Sequence, residues 1–152
     1  MVAALRKRIL AMASGGGHFV QLLRLRPAFE GHDLHFATVH AASRSEVGEA
    51  PFHVFRDVSR ADWWRLPLTL FDVALILLKV RPQVIITTGA LPPLLALLLG
   101  KPFGVKTLWV DSIANSEMLS GSGRLARSIA SRTITQWPGL AAPGVEHWGS
   151  VL

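Results

Sequence analysis

Short apolar runs that end in small residues, each followed by a stretch with helical periodicity, recur along this chain. Arg8 to Ala13 runs into Ser14-Gly15-Gly16-Gly17, after which Phe19, Leu22, Leu23, Leu25 and Phe29 recur at the spacing of one helix face. Pro27 sits late in that helix and kinks or ends it, because proline removes a backbone donor. Val84-Ile85-Ile86-Thr87 is β-branched throughout and reads as a central strand buried on both faces. Thr88-Gly89-Ala90 follows, then a helix over Pro93 to Leu99 with proline in its first turn and Gly100 at its end. Leu34 to Val39, Phe52 to Phe55, Thr107 to Val110 and Thr133 to Gln136 supply further strands. The apolar stretch from Leu66 to Arg81 and the segment Gly123 to Ala130 supply further helices, while Ala41 to Ala50 reads as a surface loop. Such alternation predicts α/β architecture: a Rossmann-like open parallel sheet with right-handed crossovers and helices on both faces, one domain over residues 1–152. Pro138 to Trp148 is rich in glycine and proline and reads as a tail or docking segment.

The chain has 152 residues, of which 50% are hydrophobic and 17% charged, enough for one core and too apolar for a disordered polypeptide. The absence of cysteine excludes disulfides, thiolate metal sites and cysteine nucleophiles together. Lysine and arginine number 16 against 10 acidic residues, a formal charge of +6. Those charges are scattered, few aromatic residues lie among them, and the densest run, Arg6-Lys7-Arg8, is short. An anionic membrane surface or a phosphate-bearing substrate therefore fits at least as well as nucleic acid, and nucleic acid is not an expected partner. Pro82 to Gly100 carries no charge and approaches the roughly 20 residues of a spanning helix, but Thr87 to Pro93 would break it at mid-bilayer. Ile9 to Ala13 is too short for a signal sequence, so neither a transmembrane span nor a leader is expected.

In an open parallel sheet, ligands bind beyond the carboxyl ends of the strands, and three loops there carry chemistry. In Ser14-Gly15-Gly16-Gly17-His18, glycines allow close backbone approach, the following helix presents amides to an anion, and His18 can exchange a proton or donate to phosphate. The plainer account is a tight strand-to-helix turn with a solvent-facing histidine. Thr87-Thr88-Gly89-Ala90 either lines the same crevice or is a turn with an N-cap threonine. Asp111-Ser112-Ile113-Ala114-Asn115-Ser116, followed by Ser120 to Arg124, suits a hydroxyl-rich substrate; alternatively Asp111 caps a short helix. No Gly-Lys-Ser/Thr follows the glycines, and the dinucleotide fingerprint lacks its spacing and its acidic residue. His32 and His35 flank Asp33 without a second ligand cluster, so no metal site is expected. Trp63-Trp64-Arg65 is either an interfacial anchor or the end of a core helix.

The glycine-rich opening with Phe19 to Leu25, Pro82 to Ala90, Asp111-Ser112 with Ser120 to Leu125, and Thr135-Gln136-Trp137 with Gly149-Ser150 form an ordered set. In that order and at those spacings the chain resembles, over nearly its whole length, the Alg14-like proteins, including the PssD-type exopolysaccharide subunits. The resemblance implies a single GT-B N-terminal-type domain, similar to the acceptor-binding half of MurG. It implies a subunit of an inverting glycosyltransferase whose Alg13-like or PssE-like partner binds the UDP-sugar. The acceptor would be a polyprenyl-diphosphate-linked glycan at the cytoplasmic membrane face, with peripheral attachment, no cofactor and no metal. His18 would be the base or an acceptor-diphosphate contact, with Asp111 the rival base. Ser14, Gly15, Gly16, Gly17, Thr88, Gly89, Ser112 and Asn115 would bind acceptor or phosphate. Trp63, Trp64 and Arg65 would meet the membrane, and residues 137–152 the partner chain. Asp111 stands where many relatives have Glu, and Asn115 where some have Arg. The competing expectations are a non-catalytic membrane-recruiting scaffold and a free-standing nucleotide-binding domain.

Overall fold

The computed structural model describes residues 5–151. The strands are β1 (Arg8–Met12), β2 (Asp33–Thr38), β3 (Phe52–Val54), β4 (Val84–Thr87), β5 (Lys106–Val110), β6 (Arg132–Thr135) and β7 (Glu146–His147). The helices are α1 (Gly17–Arg24), α2 (Leu66–Val80), α3 (Leu91–Gly100) and α4 (Gly121–Ile129). All neighbouring strands run parallel, in the order β3-β2-β1-β4-β5-β6-β7. The chain winds outward from β1 to β3, returns to lay β4 beside β1, and winds outward the other way. The β1/β4 boundary is therefore the topological switch point, where the loops diverge and leave a crevice.

Burial on both faces explains why the central strands carry no polar alternation. Leu10, Met12 and Ile85 pack with Val73, Ile76 and Val80 of α2, Leu94 and Leu97 of α3, and Ala126 of α4. Ile9, Ala11 and Ile86 point the other way, onto Phe19 and Leu22 of α1 and Phe36 of β2. Three helices thus cover one face and α1 the other, as the strand–helix alternation predicts.

The boundaries follow local chemistry. α1 stops at Arg24 and gives way to a 3₁₀ turn over Arg26–Phe29, with Pro27 in its first turn. α3 begins at Leu91 rather than Pro93, so both prolines occupy its first turn, where no N–H is missed. α4 begins at Gly121 because Ser120 caps it. The segment 41–50 holds a 3₁₀ turn over Ala41–Glu46, fastened by Arg44 donating to the Gly48 and Ala50 carbonyls.

The reading of Pro138 to Trp148 as a tail needs correction. Glu146–His147 forms a seventh strand on β6, held by the Arg132–Glu146 ion pair. Two residues without periodicity give no strand signal, so only tertiary pairing reveals it. Leu152, the end of the expected docking segment, lies outside the described residues. α2 buries Thr69, Val73, Ile76 and Val80 but leaves Leu68, Phe71, Leu75 and Leu78 exposed along its opposite face. Among the described residues, no helix is long and apolar enough to cross a membrane.

Candidate functional site

The loops after β1, β4 and β5 converge on the crevice at the switch point. His18, half-buried in the first turn of α1, places Nδ1 3.0 Å from the Thr88 carbonyl oxygen. A carbonyl only accepts, so Nδ1 carries the proton and donates it. Nε2 has no hydrogen-bond partner among the described residues, and in the neutral ring it keeps its lone pair for a proton. The Thr88 hydroxyl returns a bond to the His18 carbonyl, tying the β1 and β4 loops together. Gly89 makes this approach possible: its φ is 140°, and a Cβ there would lie 2.5 Å from His18 Nδ1. Ala90 follows with φ 81° and ψ 163°, a conformation normally left to glycine and a store of local strain.

Asp111 organises the third loop. It is fully buried, and both carboxylate oxygens are engaged. Oδ1 accepts from Trp109 Nε1 at 3.0 Å and from the Ser120 hydroxyl at 2.6 Å. Oδ2 accepts from Asn115 Nδ2 and from the Ser120 backbone N–H, both at 3.0 Å. Four donors occupy the carboxylate oxygens and leave little acceptor capacity for a substrate proton. Asp111 does not itself cap α4; it holds Ser120, whose hydroxyl accepts from the Gly123 N–H at 2.8 Å and is the cap. A side chain at Gly123 would strike Asp111 Oδ1, so glycine is required there as well.

Sequence reasoning missed the support beneath this loop. Gln21 of α1 is buried; its Nε2 donates to the Ser112 hydroxyl at 3.1 Å and its Oε1 accepts from the Ile113 N–H at 3.1 Å. Gln136, just after β6, donates to Gln21 Oε1 at 2.6 Å and to the Asp111 carbonyl at 3.0 Å, and accepts from the Val151 N–H at 2.9 Å. This buried network locks α1, the β5–α4 loop and the chain's last described residues together. A glutamine directly beyond a strand's carboxyl end was the available signal.

These loops enclose a cleft of about 220 Å³. Of the expected residues, His18, Thr88, Gly89, Asp111, Ser112 and Asn115 line it, joined by Arg60 from the connection before α2, which sequence reasoning did not single out. Ser14 and Gly15 to Gly17 stand beside it instead. Ser14 is buried at the end of β1, Gly15 packs so closely on the His40 ring that a Cβ would collide, and Gly16 and Gly17 are exposed at the start of α1. Trp63 and Trp64, 70% and 64% exposed, sit on a 3₁₀ turn closed by a Ser59–Asp62 capping box, with Arg65 3.8 Å from Asp62. They do not end a core helix.

Away from the crevice, His35 stacks on His53 with ring centroids 5.6 Å apart, and their Nδ1 and Nε2 atoms lie 3.3 Å apart. His35 also meets Asp33, which pairs with Arg8 at 2.8 Å. Burial pushes both histidines below their usual range, while the Arg8 hydrogen bond holds the Asp33 carboxyl down. Among the described residues, no group of three or more His, Asp or Glu side chains is placed to hold a metal.

A seven-stranded parallel sheet wound outward from a central crevice, with helices on both faces, is a Rossmann-like domain of the GT-B type. MurG from Acinetobacter baumannii superimposes with a TM-score of 0.75 at 11% identity, over 95% of this chain and 46% of that one. UDP-N-acetylglucosamine 2-epimerase from Rickettsia bellii gives 0.69 at 12%, over 95% and 45%. The UDP-GlcNAc 2-epimerase from Methanocaldococcus jannaschii gives 0.66 at 14%, over 93% and 45%. The likeness is one of fold, and this chain spans less than half the length of each. No family model and no curated protein matches the sequence.

Proposed function

We propose that this domain is the acceptor-side subunit of a two-chain inverting glycosyltransferase. It would present a polyprenyl-diphosphate-linked acceptor to a UDP-sugar held by an Alg13-like or PssE-like partner. The observation that carries this reading is His18: its Nδ1 proton is committed to Thr88, and its Nε2 is unpartnered, in a cleft at the switch point of a GT-B-type sheet. In the reaction the acceptor hydroxyl attacks the anomeric carbon, its proton passes to His18 Nε2, and the UDP oxygen leaves with the bonding electrons. Asp111 is the weaker choice of base, since a substrate proton would have to displace one of its four donors. Its part is to position Asn115 and Ser120. Trp63 and Trp64, with the exposed apolar face of α2 that follows them, support attachment to a membrane surface. The C-terminal segment supports partner docking beside the crevice, because Trp137 Nε1 donates to the Ile113 carbonyl at 2.7 Å.

The test is His18→Ala in the reconstituted pair. Turnover should fall by about 10²–10⁴, the usual worth of a positioned base, while the two chains still co-elute. Near-normal turnover would remove His18 from the reaction. The broad apolar face of α2 favours one alternative, a recruiting scaffold for a catalytic partner, and full activity after loss of both His18 and Asp111 would establish it.

A further inference from the structure

The cleft around His18 does not close on itself. Past Arg60, Gly121 and Ser122 it opens into a larger groove of about 640 Å³. That groove has an apolar floor, made by Val58 with Leu91 and Leu125, which are 36% and 59% exposed. It also carries two guanidinium groups, Arg60 from the turn before α2 and Arg124 from α4. Among the described residues neither arginine pairs with an aspartate or glutamate. The sole side-chain hydrogen bond of Arg124 is a long approach to the Met118 sulfur at 4.0 Å. No aspartate or glutamate lines the groove. Two cations without an acidic partner thus stand beside exposed leucines in one groove. They are well matched to an amphiphile with an anionic head, because the guanidinium fork pairs phosphate oxygens in two places at once.

Resting on the acceptor-side reading above, we propose that this groove seats the junction between diphosphate and prenyl chain. Arg60 and Arg124 clamp the diphosphate, and Leu91 and Leu125 take the first isoprene units. Arg60 lines both spaces, so a head held there directs the attached sugar toward His18. The uridine diphosphate of a donor shares the phosphate chemistry, but the leucine floor selects the prenyl ester.

Calorimetric titration of the full chain with farnesyl diphosphate, inorganic pyrophosphate, farnesol and UDP tests this. The wild type should bind farnesyl diphosphate at least tenfold more tightly than pyrophosphate or UDP. Arg60→Gln with Arg124→Gln should weaken farnesyl diphosphate and pyrophosphate alike, each at least tenfold, with an unchanged thermal midpoint. Leu91→Ser with Leu125→Ser should bring farnesyl diphosphate down to the level of pyrophosphate. Farnesyl diphosphate binding that survives the double arginine change overturns the clamp while leaving the acceptor reading in place. Tighter binding of UDP than of farnesyl diphosphate overturns the prenyl assignment. No binding of farnesyl diphosphate by the wild type overturns both the clamp and the acceptor reading.

Discussion

His18 and Gly89 act as one unit: the imidazole can reach the Thr88 carbonyl because residue 89 has no side chain and adopts a positive φ. Gly89→Ala must both adopt a disfavoured backbone conformation and push the ring aside. It should destabilise the domain by about 1–3 kcal/mol in urea titration. Gly16→Ala, also at positive φ but with nothing within 4 Å, should cost less. Equal losses at the two positions would show that the His18 contact is not what fixes Gly89. His18, Thr88 and Asp111 are legible in the sequence because each lies in a loop just beyond a strand's carboxyl end, where the architecture gathers chemistry. Gln21 is not, because a polar residue in an amphipathic helix is ordinarily assigned to the solvent face. Its burial depends on Gln136, 115 positions away. The engagement of both Asp111 oxygens is equally invisible without the Trp109 and Ser120 partners.

The edge element formed by β2 and β3 carries a pH dependence. His35 and His53 face each other, with Asp33 and Arg8 beside the first and Lys79 near the second. Burial lowers both histidine pKa values in the folded state, so the unfolded chain binds protons more readily. Their contribution is therefore intact above about pH 6.5, the ordinary histidine value, and is lost as pH falls below it. Asp33 works in a separate window: its depressed pKa adds stability above its unfolded value, lost only in strong acid. Urea midpoints at pH 7.5 and 5.5 should differ in the wild type, and the difference should shrink in His53→Gln. An unchanged difference would assign the acid sensitivity elsewhere. On α2, Phe71→Glu with Leu75→Glu should lower binding to vesicles of anionic lipid at least tenfold while changing stability by less than about 0.5 kcal/mol. Unaltered vesicle binding would separate this face from the membrane. A helix that is apolar all round has no polar side to declare its exposure, so the sequence identified α2 without showing which residues it leaves uncovered.

At the scale of the molecule, the repeated strand-and-helix pattern was sufficient for a parallel sheet covered on both faces. It did not reveal β7, whose two residues depend on Arg132 and the edge of β6. The strand order, read from the structure, puts the crevice between β1 and β4, where His18 and Thr88 meet. Only one Rossmann-like sheet is present among the described residues, and the solved structures it matches are more than twice as long. The proposed sugar transfer calls for a second wall to hold the nucleotide. The direct test is a transfer assay with labelled UDP-sugars and a polyprenyl-diphosphate-linked acceptor, run on the purified 152-residue chain alone and after addition of an Alg13-like chain. The account predicts no product from the chain alone and product once the second chain is added; product formed by this chain unaided would contradict it.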